Sequence, residues 1–136
     1  MVVDTSAVIA FLRDEPEAGR IERAFAAASV VRLSALNAFE CRVVARRQYG
    51  QAMLDGLETL LVKIGARIDA FDADQAVLAY DAYRRYGKGS GHAAKLNIGD
   101  CAAYALAKST GLPLLFLGND FARTDIEAAM KPARRA

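Results

Sequence analysis

Apolar positions along this chain switch repeatedly between short runs or alternation and a three-to-four-residue spacing, the pattern of strands separated by helices. Met1-Val2-Val3 is a short apolar run ending at Asp4, and Thr5 and Ser6, either able to cap a helix, precede the apolar stretch 7–12. A second helix is expected from Pro16, with Ile21 and Phe25 facing inward. Residues 30–33 read as a strand, and Ser34 as the cap of a helix carrying Leu36, Phe39, Val43 and Val44 to near Gly50. Leu54, Leu57, Leu61 and Ile64 set a helix over 51–65, stopped by Gly65; residues 67–71 alternate as a strand. Asp72 or Asp74 caps a helix with Val77, Tyr80 and Tyr83 that ends at Gly87. The glycine-rich segment 87–99 cannot be regular throughout. Asp100 then opens an alanine-rich helix stopping at Gly111, and 114–117 form a last strand closed by Gly118-Asn119-Asp120.

This alternation predicts an α/β domain spanning 1–136, with a mostly parallel sheet between helices and no repeat or linker. Ligands of such sheets sit beyond the carboxyl ends of the strands, so functional residues are sought just after strands. With 54% hydrophobic and 25% charged residues the chain suits a globular fold. It has no apolar run long enough for a membrane span, which needs about 18–20 residues. Asp4, close behind Met1, leaves no basic n-region, so a cytoplasmic protein without a signal peptide is expected. Cys41 and Cys101 form no Cys-x-x-Cys pair and are read as reduced core residues. The net charge of +2 does not announce a nucleic-acid partner. Basic residues do cluster at Arg42, Arg46 and Arg47, at Arg84, Arg85 and Lys88, and in a tail of Lys131, Arg134 and Arg135.

The chemistry lies in the acids. Asp4 follows the first strand, Glu40 sits on the helix after the second, Asp100 begins the helix before the last strand, and Asp120 follows that strand. Taken singly, Asp4 and Asp100 also read as helix caps, Glu40 as a surface residue and Asp120 as a turn former. Glu40, flanked by Phe39 and Cys41, is the hardest to dismiss, because a carboxylate on a half-buried face needs a partner. Several carboxylates in one pocket repel unless a cation neutralises them, and Mg²⁺ or Mn²⁺ prefers such oxygen ligands. One or two such ions support water attack on a phosphodiester. Thr5 and Ser6 could orient the metal shell or serve only as caps. Other chemistries are excluded more easily. His92 is the single histidine, ruling out a two-histidine ribonuclease, and neither a phosphate-binding Walker loop nor a Gly-x-Ser-x-Gly elbow is present.

Four stretches together resemble the VapC branch of the PIN-domain ribonucleases, toxins of bacterial toxin–antitoxin pairs. They are Met1-Val2-Val3-Asp4-Thr5-Ser6-Ala7, the run Ser34 to Glu40, the run Gly87 to Ala107, and the run Leu114 to Asp125. The resemblance covers essentially the whole chain. It implies a PIN-like three-layer α/β/α fold with a five-stranded sheet, and Mg²⁺ or Mn²⁺ carried by Asp4, Glu40, Asp100 and an acid in the Gly118-Asn119-Asp120-Phe121 turn. Relatives often have two aspartates in that turn; here the fourth acid is placed at Asp120, with Asn119 as the alternative acting through water. Leu117 stands where many relatives carry a lysine. The resemblance further implies Asn97 and Ser6 as supports of Asp100, RNA as substrate in tRNA or ribosomal loops, a homodimer, and a small antitoxin that delivers an arginine to the acids. Lys88 and His92 on the glycine-rich loop are candidate RNA contacts, against the plainer reading of a connection with a capping histidine. Tyr80, Tyr83, Tyr86 and Tyr104 are read as core or interface residues before base-stacking ones. A receiver-like domain fails because Asp4 stands alone, and an aspartyl phosphotransferase fails because Ser6 replaces its second aspartate. A catalytically inactive PIN domain that binds RNA or partners is the remaining alternative.

Overall fold

The computed structural model describes residues 1–131. The chain runs β1 (Val2–Val3), α1 (Thr5–Leu12), α2 (Ala18–Ala27), β2 (Arg32–Ser34), α3 (Ala35–Val44), α4 (Gln51–Lys63), β3 (Arg67–Asp69), α5 (Ala73–Tyr86), α6 (Ile98–Thr110) and β4 (Leu114–Leu115). Helix α3 continues through a π-helical turn, Ala45–Tyr49, and a 3₁₀ turn, Phe121–Arg123, follows β4. The strands are parallel in the order β3-β2-β1-β4. Val2 lies opposite Arg32 and Leu114, and Val3 opposite Leu115.

Strand alternation sorts the core into two halves. Val3, Leu33 and Leu115 point into one with Val8, Ile21, Leu57 and Leu61 of α1, α2 and α4. Val2 and Leu114 point into the other with Ala79 and Ala82 of α5, Cys101 and Tyr104 of α6, and Phe116. Strands β1 and β4 are therefore buried on both faces, which is why they read as unbroken apolar runs rather than alternating ones. Helix α6 is buried at every residue from Cys101 to Ala107, and its alanines let it lie close against the sheet. It ends at Gly111, whose φ of 68° is the left-handed conformation glycine adopts without strain.

The sheet has four strands among the described residues, not the five expected. The place of the fifth is taken by a single bridge. Leu114 N–H donates to the Glu127 carbonyl at 2.9 Å, and Ala129 N–H to the Leu114 carbonyl at 2.8 Å. A two-residue β4 offers its outer edge only one such position. Pro16 falls in the turn before α2, which begins at Ala18. Asp72, not Asp74, caps α5, accepting the Gln75 N–H at 3.0 Å. Arg134 and Arg135 lie outside the described residues; the Lys131 carbonyl accepts a bond from Arg20 at 2.5 Å. Among the described residues no helix is long and apolar enough to cross a membrane.

Candidate active site

Parallel strands deliver their following residues to one edge of the sheet, and the acids gather there. Asp4 leaves β1 with its N–H on the Leu115 carbonyl (2.9 Å), and its carboxylate caps α1 by accepting the Ser6 N–H at 3.0 Å. The cap of α1 is thus Asp4 itself, not Thr5 or Ser6. Asp4 is only 3% exposed, and its Oδ1 is buried without a hydrogen-bond partner. Freed from capping, Thr5 donates its hydroxyl to Glu40 Oε1 at 2.5 Å. Ser6 Oγ accepts the Leu117 N–H at 3.0 Å, tying the end of β4 to α1. Ser6 therefore braces the Asp4 side of the site, through Asp4 and Leu117.

Glu40, half-buried on α3, lies against the first turn of α6, where Gly99 makes room for it. A Cβ on Gly99 would stand 2.5 Å from Glu40 Oε2 and 2.6 Å from Oε1. Asn37, fully buried one turn earlier on α3, donates through Nδ2 to the Gly99 carbonyl at 2.9 Å and to Thr5 Oγ1 at 3.3 Å. It connects α3, α1 and α6 at a single point. Sequence reasoning overlooked both residues. A lone asparagine on an otherwise apolar helix face and a glycine inside a helix's first turn were the available signals.

Asp100 does not open α6. Asn97 is the cap, and Asp100 occupies the third helical position in a reciprocal box: Asp100 N–H donates to Asn97 Oδ1 (2.8 Å) and Asn97 N–H to Asp100 Oδ2 (3.0 Å). Asn97 and Asp100 are thereby tied to each other by two hydrogen bonds. Asn97→Ala is expected to lower the unfolding free energy by about 1 kcal/mol, the usual worth of such a cap. Urea denaturation checks it; an unchanged midpoint would mean the box adds nothing to α6.

The acids sense one another. The Asp4 carboxyl is pushed up to about 7, first by burial, then by the negative charge of Asp100 and, more weakly, of Glu40, against the Ser6 hydrogen bonds. The Asp100 carboxyl is pushed up to about 6, again first by burial; the Asn97 N–H opposes this, while Asp120 and Glu40 add to it. Asp120 itself is exposed, at the head of the 3₁₀ turn. Asn119 instead lines a cleft of about 180 Å³ with Glu17, Arg20 and Lys131. Among the described residues no group of three or more His, Cys, Asp or Glu side chains stands close enough together to hold a metal ion as placed. The donors nevertheless fit a hard divalent ion, being all oxygen, mutually repelling, and including an orphaned buried oxygen on Asp4.

The remaining candidates divide. His92 accepts the Ala94 N–H on Nδ1 at 3.0 Å and stands edge-on to Tyr86, so it closes its own loop. Lys88 is exposed while its N–H is bound to the Leu96 carbonyl. Tyr104 is buried and Tyr86 half-buried against it, whereas Tyr80 and Tyr83 are 68% and 40% exposed. Cys41 and Cys101 are buried free thiols, as expected.

The PIN domain family model matches residues 1–127. The chain belongs to the PIN-domain family. Within it, the chain is 44% identical over 129 residues to Ribonuclease VapC42 of Mycobacterium tuberculosis, spanning 95% of this chain and 98% of that one. It is 46% identical over 128 residues to Ribonuclease VapC of Mycolicibacterium smegmatis, spanning 94% and 98%. This places the PIN domain on the VapC ribonuclease branch, the branch its sequence resembles. The fold also matches the crystal structure of Mycobacterium tuberculosis VapC20, a sarcin–ricin loop cleaving toxin. The TM-score is 0.76 at 18% identity, with 96% of this chain and 98% of that one covered.

Proposed function

We propose that this VapC-branch PIN domain, comprising the whole chain, is a Mg²⁺- or Mn²⁺-dependent endoribonuclease and the toxin of a toxin–antitoxin pair. Asp4, Glu40, Asp100 and Asp120 are its metal-holding acids. The observation that carries the reading is the buried Asp4 carboxylate, unpartnered on one oxygen and within electrostatic reach of Asp100 and Glu40. A lone fold-stabilising cap has no use for that arrangement. When bound, a hard divalent ion supplies Lewis acidity for water attack on a phosphodiester. The chain's own residues do the positioning. Thr5 fixes the Glu40 carboxylate, Ser6 fixes that of Asp4 through its N–H, Asn97 orients Asp100, and Asn37 locks α1, α3 and α6 in register. Asp120, whose charge reaches Asp100, completes the set in preference to Asn119.

The substrate follows from the surroundings. Exposed Lys88 on the glycine-rich loop suits a phosphate, and exposed Tyr80 and Tyr83 suit unpaired bases. A structured RNA cut in a single-stranded loop, in tRNA or ribosomal RNA, meets those demands, and VapC20 is described as a toxin that cleaves the sarcin–ricin loop. Such an activity needs restraint. A small antitoxin placing a guanidinium among these carboxylates would supply it, with the toxin as a homodimer.

The deciding experiment incubates total cellular RNA with purified, partner-free protein in Mg²⁺, in Mn²⁺ and in EDTA, beside Asp100→Asn. Discrete products that require metal are expected, and Asp100→Asn should lose about a thousandfold in rate, since several kcal/mol of transition-state stabilisation go with the metal. Asparagine still accepts the Asn97 N–H, so the variant stays folded. RNA left intact under every metal by folded protein would overturn the reading in favour of an inactive PIN domain.

A further inference from the structure

The turn that carries Asp120 is held at both ends, and its second anchor has no part in the site described above. At its start, Leu117 N–H is bound to Ser6 Oγ beside Asp4. At its end, the Asp125 carboxylate accepts the Tyr104 hydroxyl on Oδ1 at 2.7 Å and pairs with Lys108 through Oδ2 at 2.7 Å; Arg85 lies 3.7 Å from Oδ2. Tyr104 and Lys108 stand four and eight residues after Asp100 on α6. Residues four apart share a helix face, so the stripe that begins with Asp100 is the one that grips Asp125. Between the anchors, Phe121 is buried against Phe116 at 5.1 Å, and Thr124 closes the 3₁₀ turn through its N–H and hydroxyl on the Phe121 carbonyl. The exposed Asp120 therefore hangs on a strap whose length and direction are set from α6.

We propose that Asp125 is a positioning residue, bolting the 118–124 turn to the Asp100 face of α6 so that Asp120 meets Asp100 across the site. This rests on the reading of Asp120 and Asp100 as metal-holding acids. The Asp125 side chain is 40% exposed and its ion pair correspondingly solvent-screened, so it adds little to global stability. What it supplies is local. Two cations and one hydroxyl from two helices meet one carboxylate immediately after a turn that has no strand pairing of its own beyond the Leu114 bridge.

The test is a cycle of Asp120→Ala, Asp125→Ala and the double variant, read by Mn²⁺ calorimetry and by hydrogen exchange of the metal-free protein. Asp125→Ala is expected to weaken Mn²⁺ binding about tenfold, the usual effect of removing a residue behind a ligand. It should speed exchange at amides 117–124 while leaving α6 protected, and should leave KM for RNA unchanged. The double variant should bind Mn²⁺ as Asp120→Ala alone does, because the strap then carries nothing. Additive losses, wild-type Mn²⁺ affinity in Asp125→Ala, or deprotection running through α6 would each overturn the proposal. Wild-type Mn²⁺ binding by Asp120→Ala would remove Asp120 from the site and the proposal with it; Asp4 and Asp100 variants report separately on the wider reading. Tyr104→Phe, which deletes one hydroxyl, gives the same readouts should Asp125→Ala fail to fold.

Discussion

Asp4→Asn is expected to abolish RNA cleavage and, in the absence of metal at pH 7.5, to raise the melting temperature. Both effects come from one cause. The buried carboxyl titrates near 7 rather than near its ordinary 3.8, because burial and then the charge of Asp100 disfavour ionisation. Each pH unit of that difference corresponds to roughly 1.4 kcal/mol, so the ionised residue costs the metal-free fold on the order of 4 kcal/mol. Asparagine removes the charge but leaves an amide donor to satisfy, so the net gain is smaller, about 1–3 kcal/mol or roughly 5–10 °C. The pH dependence has a definite sign. Between about 4 and 7 the folded protein holds a proton on Asp4 that the unfolded chain releases, so stability of the metal-free protein rises as pH falls from 8 to 5. Asp100, titrating near 6, acts in the same sense. The trend reverses only at lower pH, where acids held below their ordinary range give up their charge. The half-buried Asp69, held low by the Arg32 hydrogen bonds, is the main one; at the more exposed Asp125 burial is outweighed by Lys108 and Tyr104, and solvent screening keeps its share small. Thermal melts in EDTA at pH 8, 6.5 and 5 check this. A flat profile, or an undiminished slope in Asp4→Asn, would show that Asp4 is not the strained group.

Gly99→Ala should do the opposite, leaving stability nearly unchanged while cleavage falls about a hundredfold, as when a metal ligand loses its orientation. The new Cβ would overlap the Glu40 carboxylate, with all three contacts under 3 Å. Those atoms end a flexible side chain, so the cheap response is for Glu40 to swing away, breaking its bond to Thr5. That bond is worth about 1 kcal/mol, and alanine recovers a similar amount as the better helix former. Metal affinity by calorimetry, cleavage and a urea melt together read the outcome. A variant that cleaves at the wild-type rate would mean Glu40 does not work from its place against α6. One that unfolds would mean the clash is taken up by the backbone.

The order of elements was legible because periodicity reports which residues face a core, and this chain obeys it from Val2 to Leu115. Legibility failed where local chemistry offered two equivalent answers. Three oxygen-bearing residues in a row, Asp4, Thr5 and Ser6, compete for one cap. Asp4 takes it because its backbone is already fixed to β4, leaving Thr5 for Glu40 and Ser6 for Leu117. Asn97 and Asp100 likewise both suit a helix start, and the structure uses both, three positions apart. The fifth strand was expected on resemblance and shrinks to one bridge at Leu114.

By itself the sequence determined a parallel α/β layering and the positions of four acids after strands or at helix starts, since strand order and side-chain period constrain those directly. The tertiary structure decided which acids share a field and how each is held. Asn37 reaching Gly99 across 62 residues, Thr5 reaching Glu40 across 35, and Asp125 reaching back to Tyr104 are contacts between separate elements. Their partners are chosen by how the helices pack on the sheet, and no local pattern encodes that packing.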